Sequence, residues 1–120
     1  IVGGNLSMLH SMAAASALTI PHGAIVAIED VTERPYRIDR MLTSLIVGGH
    51  LARASGIVLG SFTSCDPGAD GRTALQVITE RTHSLGIPVL AGAPFGHDDT
   101  NDAFVLGRHV TIRGGTLSFC

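Results

Sequence analysis

The sequence has no cluster of lysine or arginine, no paired cysteines, no long apolar run and no recognisable serine nucleophile. Each absence excludes a class of function. Eight basic residues against ten acidic ones leave a net charge of -2, so the positive footprint of a nucleic-acid binder is missing. The two cysteines, Cys65 and Cys120, form neither a CxxC pair nor a disulfide framework, and a reducing, cytoplasmic compartment is the simplest reading. No apolar stretch approaches the roughly 20 residues of a membrane helix. The opening Ile1-Val2-Gly3-Gly4-Asn5 lacks a basic n-region and does not read as a signal peptide. With no initiator Met, the chain reads as a piece of something longer. There is no internal repeat and no low-complexity tract.

What is present is a core-forming composition. The 120 residues suit one domain, 1–120, and 45% hydrophobic against 15% charged residues predicts a substantial core rather than disorder. A mean hydropathy of +0.36 is high for a free-standing domain of this size. It implies either a surface covered by another domain or subunit, or scattered exposed apolar residues.

Periodicity predicts the elements. Asn5 can cap a helix running through Leu6, Met8, Leu9 and Met12 to Ala17. Ala24 to Ile28 and Gly56 to Gly60 are continuous apolar runs that suit strands covered on both sides. Pro35 fits the first turn of a second helix, with Ile38, Met41, Leu42, Leu45 and Ile46 at helical spacing. After the Pro-, Gly- and Asp-rich loop 65–71, a third helix is expected from Arg72 to His83, with Leu75, Ile78 and Thr79 on one face and Gly86 as its stop. Ile87 to Leu90 is the next strand. Alternation around Gly114-Gly115 predicts a hairpin, placed as an antiparallel edge of the sheet. The fold class is therefore α/β: a small, mainly parallel sheet with helices on its faces and a C-terminal β-hairpin.

Two segments carry the chemistry. The strand through Ile28 is followed by Glu29, and Pro88 to Pro94 leads through Phe95-Gly96 to His97. Both read as buried strands ending in an ionisable residue at a turn, where α/β domains build sites. A glutamate and a histidine so placed could serve as the orienting acid and general base of a hydrolase. The plainer alternatives are a Glu29 carboxylate paired with Arg37 or Arg40 and a solvated loop histidine. Asp98, Asp99 and Asp102 beside His97 could be imagined as metal ligands, but no second His stands at metal spacing, so no metal and no cofactor are expected. Cys65 has no activating neighbour in sequence and reads as a buried or loop thiol. Asn5 and Tyr36 are further candidates for substrate contact, each with a simpler reading: Asn5 as a helix cap, Tyr36 as part of a solvated helix face in which Asp39 is salt-bridged locally.

Gly3-Gly4-Asn5-Leu6, Glu29-Asp30, Tyr36-Arg37-Ile38-Asp39-Arg40-Met41-Leu42, Gly56-Ile57-Val58-Leu59-Gly60 and Pro94-Phe95-Gly96-His97 together resemble the C-terminal domain of the LD-carboxypeptidase family. These are serine peptidases of murein recycling that include the microcin C immunity peptidases. The resemblance spans nearly the whole chain, in order. It implies that Glu29 is the triad acid and His97 the triad base. The nucleophilic serine would come from an N-terminal domain absent from this chain, and the substrate would be a murein tetrapeptide losing its terminal D-alanine. It further implies a homodimer. On this reading the chain alone is inactive. The alternatives are a microcin-type immunity peptidase domain acting on another amide, and a non-catalytic interaction module.

Overall fold

The computed structural model describes residues 1–120. Four parallel strands, β1 (Val2–Asn5), β2 (Ile25–Val31), β3 (Gly56–Thr63) and β4 (Val89–Leu90), lie side by side in sequence order. Three helices connect them: α1 (Leu6–Ala14), α2 (Pro35–Val47) and α3 (Ala74–His83). A right-handed crossover between adjacent parallel strands always returns on the same side of the sheet. With no reversal of strand order, all three helices fall on one face.

That face is the larger core. Val26, Ile28, Ile57 and Leu59 of the sheet meet Leu6 and Leu9 of α1, Ile38, Met41, Leu42 and Leu45 of α2, and Val77 and Ile78 of α3. The spacing of the α2 set is that of a single helical stripe, and Pro35 opens the helix at a position where its missing N–H costs nothing. α3 begins at Ala74, not Arg72. Thr73 and Gln76 form a reciprocal capping box that sets its start. Its buried face is Ala74, Val77, Ile78 and Thr82, and Leu75 points outward. The apolar letter at position 75 therefore sits on the solvent side of the stripe that Val77 and Ile78 define.

The opposite face of the sheet is covered without helices. Ile1, Ile25, Ala27, Val58 and Phe95 form a second, smaller cluster. The loop after β4 and the hairpin of β5 (Val110–Arg113) and β6 (Thr116–Phe119) pack on it through Phe104, Val110, Ile112 and Leu117. The hairpin turns at Gly114-Gly115 as the sequence predicts, but it is a separate two-stranded sheet and not an edge of the first. Its alternation presents Ile112 and Leu117 to the main sheet as a lid, so it stacks face to face.

Two further differences have simple causes. β1 is absent from the sequence reading because Gly3 and Gly4 are poor strand formers, yet all four of its residues pair with β2, including Asn5 opposite Glu29. α1 stops at Ala14 rather than Ala17 because Ser16 takes a left-handed backbone, φ 57°, and its N–H turns back to the Ala13 carbonyl. Left-handed residues also follow β2 and β3: Thr32 (φ 59°) and Ser64 (φ 53°) close the carboxyl edge of the sheet just beyond the residues considered next.

Candidate active site

Consecutive residues of a strand point to opposite faces. At the end of β2 this splits two neighbouring acids. Asp30 falls on the helix side and Glu29 on the loop side. Both are buried, Asp30 to 2% exposure and Glu29 to 8%, so each carboxylate needs partners.

Asp30 obtains its partners from the next residue and from the start of α1. The Asn5 side-chain amide and the Val31 N–H donate to one oxygen at 2.9 and 2.8 Å, and the Ser7 N–H and hydroxyl donate to the other at 3.0 and 2.8 Å. The carboxylate thereby sits at the N-terminus of α1, where the helix dipole favours negative charge. Asn5 is the cap expected from sequence, its Oδ1 accepting from the Met8 N–H at 3.1 Å. Its amide is committed to Asp30, an arrangement that ties β1, α1 and β2 together.

Glu29 obtains its partner from far away in the chain. Its Oε2 lies 2.8 Å from Nδ1 of His97, 68 residues later. Arg37 pairs instead with Glu33 at 2.7 Å, and Arg40 makes no ion pair. The sequence predicts both residues at strand ends. In the structure β2 continues two residues beyond Glu29, to Val31, and His97 stands seven residues beyond the end of β4. Its loop nevertheless stays in step with the sheet, because Ala93 N–H donates to the Leu59 carbonyl at 3.0 Å and Ser61 N–H to the Phe95 carbonyl at 2.8 Å. The stretch from 93 to 97 thus runs along β3 and delivers the ring across it to β2. A β-carbon on Gly60 would lie 2.3 Å from the Phe95 carbonyl oxygen, so the crossing requires glycine there. Phe95 anchors the crossing, buried against the sheet and edge-on to Phe104 with ring centroids 5.1 Å apart.

The His97 side chain is 50% exposed, against 10% for that of Glu29. The carboxylate is therefore inside and the imidazole bridges it to the surface. A carboxylate accepts only, so Nδ1 carries a proton, and in the neutral ring Nε2 keeps its lone pair. No group of this chain hydrogen-bonds Nε2. The pair is chemically an oriented base that presents its basic nitrogen outward.

The other sequence candidates lie elsewhere. Tyr36 is exposed at the start of α2 and lines a shallow groove with His10, Arg37, Arg40 and Ser44, which neither Glu29 nor His97 enters. Asp39 is bound to Thr43 within its helix, and its ion pair reaches Arg81 on α3, so the pair staples two helices rather than acting locally. Cys65 is buried, and burial pushes its thiol above the ordinary value, away from the reactive thiolate. Asp98 receives the Thr63 hydroxyl, and no three His, Cys, Asp or Glu side chains converge as a metal site would need. Ser61 and Thr63, which meet the histidine loop, carry no signal in the sequence, because only the pairing of β3 with that loop brings them to His97 and Asp98.

Comparison with known proteins places nearly the whole chain in one family. The model of the LD-carboxypeptidase C-terminal domain matches residues 1–112. The murein tetrapeptide carboxypeptidase of Pseudomonas aeruginosa is 31% identical over 118 residues, covering 98% of this chain and 38% of that protein. The crystal structure of muramoyltetrapeptide carboxypeptidase from Oxalobacter formigenes superposes with a TM-score of 0.80 at 31% identity, over 97% of this chain and 42% of that one. The microcin C7 self-immunity protein MccF superposes with a TM-score of 0.64 at 28% identity, over 78% of this chain and 29% of that one. The chain spans about two fifths of the length of the curated relatives it matches.

Proposed function

Given that the chain belongs to the LD-carboxypeptidase C-terminal domain family, we propose that it is the acid-and-base half of a serine carboxypeptidase that removes the terminal D-alanine of a murein tetrapeptide. The observation that carries this reading is the bond between Glu29 Oε2 and His97 Nδ1 at 2.8 Å, with the ring half exposed. The serine would come from a second domain, in keeping with relatives more than twice as long as this chain.

The chemistry follows from the pair. A serine hydroxyl is a poor nucleophile at neutral pH and needs a base within hydrogen-bond reach. His97 Nε2 would accept its proton as the oxygen attacks the scissile carbonyl, and return that proton to the departing amine of D-alanine. Water, deprotonated by the same nitrogen, would then release the acyl group. Glu29 holds the Nδ1–H tautomer and stabilises the imidazolium as it forms, which its burial beside the ring favours. A cytoplasmic location is part of the same proposal and is favoured by two cysteines that are both unpaired. A homodimer is also part of it and fits the mean hydropathy of +0.36.

The test is release of D-alanine from murein tetrapeptide by the full-length protein that carries this sequence. His97→Ala and Glu29→Gln are expected to lower kcat by roughly a thousandfold or more with the melting temperature retained. The isolated chain should show no turnover. Wild-type rates from both variants would remove the triad assignment and favour a binding module. A microcin-type peptidase would use the same pair, and is distinguished by preferring an aminoacyl sulfamoyl nucleoside over the tetrapeptide.

A further inference from the structure

The histidine of the pair raises a mechanical question. His97 stands on a loop whose next residues, Asp98, Asp99 and Thr100, are all exposed, and its ring is held by one side-chain bond only. A general base must stay within a few tenths of an ångström of its productive position, which an exposed polar loop does not ensure by itself. The restraint has to come from the backbone, and the structure shows from where.

Between Leu59 and Phe62 of β3 stand two residues, Gly60 and Ser61, where between their partners Ile28 and Asp30 of β2 stands one, Glu29. The extra residue is a bulge, and a bulge lets successive side chains point the same way. Gly60 and Ser61 both meet the loop side, while Phe62 returns to the helix-side core. The Ser61 hydroxyl accepts the His97 backbone N–H at 3.0 Å. It lies 3.2 Å from the Thr63 hydroxyl, which in turn is 2.5 Å from Asp98 Oδ1. Proton counting fixes the direction. A carboxylate cannot donate, so the single Thr63 proton goes to Asp98, and the proton between the two hydroxyls must be that of Ser61. The order is His97 N–H to Ser61, Ser61 O–H to Thr63, Thr63 O–H to the Asp98 carboxylate. Each bond polarises the next, and the chain ends on a charge. Gly96 closes the arrangement: at φ 128° its missing β-carbon would lie 2.1 Å from Ser61 Oγ.

We infer that Ser61, Thr63 and Asp98 form a one-way hydroxyl chain that positions His97, so that the bulge in β3 serves the base rather than the sheet. This rests on His97 being the base of the proposed reaction. None of the three residues touches substrate in this account; they act through the histidine backbone.

The experiment uses the full-length protein with murein tetrapeptide. Thr63→Val removes the hydroxyl at nearly constant volume and should lower kcat about ten- to a hundredfold with KM and melting temperature little changed. Thr63→Ser restores the hydroxyl and should restore most of the rate. Ser61→Ala should lose a similar factor, and that loss should vanish when His97→Ala is already present, because there is no base left to position. Equal losses from Thr63→Val and Thr63→Ser, or a Ser61→Ala loss that persists unchanged beside His97→Ala, would overturn the inference while leaving the triad intact. Wild-type turnover by His97→Ala would instead show that the triad reading had failed, and would overturn the inference with it.

Discussion

The two faces of this sheet are built on different physical terms. The helix face gathers 16 buried residues, nearly all aliphatic, from elements that follow one another in the chain. The loop face has a cluster of five, a partly buried lid and a pair of polar residues joined across 68 positions. The first is held by area removed from water, which is non-directional and tolerates small shifts. The second is held by directional bonds and by places where only glycine fits, and these tolerate none. Stability and chemistry are thus largely separated onto opposite sides of one sheet, and substitutions on the two sides should break different properties.

The largest stability effect belongs to the helix face. Leu42 is 1% exposed at the centre of that core, and Leu42→Ala should cost about 2–5 kcal/mol, read as a lower denaturant midpoint at constant slope. The Glu29–His97 pair should survive in the molecules that remain folded, so activity per folded molecule is expected to hold. Gly96→Ala should sharpen the contrast from the other side. An added β-carbon at 2.1 Å from Ser61 Oγ, at a φ that L residues rarely adopt, must displace the loop. The expected outcome is a destabilisation of only about 1–3 kcal/mol with a loss of turnover of at least tenfold. A variant that instead lost stability as Leu42→Ala does, with full turnover, would contradict the separation of the two faces.

The smallest effect should come from the staple between α2 and α3. The Arg81 guanidinium beside Asp39 holds its carboxyl below the usual value of 3.8. A depressed folded-state value means stability that is present above pH 3.8 and lost as the pH falls through the folded value. Asp39→Asn should therefore flatten part of the acid-side fall in the denaturation midpoint and change little at neutral pH, since both partners are partly exposed and screened by solvent.

How much of this was legible in the sequence differs between the faces in the same way. The stripe of Ile38, Met41, Leu42 and Leu45, the proline that opens α2, the Asn5 cap and the Gly114-Gly115 turn are local signals, and each appears where periodicity or turn chemistry puts it. Glu29 and His97 stood out as ionisable residues beside apolar runs, and the family resemblance joined them. Their surroundings were harder to foresee. That Glu29 lies within a strand rather than at its end follows from Asp30 and Val31 pairing with Phe62 and Thr63 of β3. That the hairpin is a lid rather than an edge follows from its stacking against the second core. The ion pair of Asp39 with Arg81 depends on two helices becoming neighbours.

The sequence by itself determined the three helices, the apolar strands, the hairpin turn and their alternation, because helix and strand periods are properties of neighbouring residues. Only the tertiary structure decided which face carries the helices, which partner each acid finds and how the histidine is held. Those outcomes depend on crossover handedness, on one extra residue in β3 and on bonds between groups far apart in the chain, whose energies appear only once the sheet has formed.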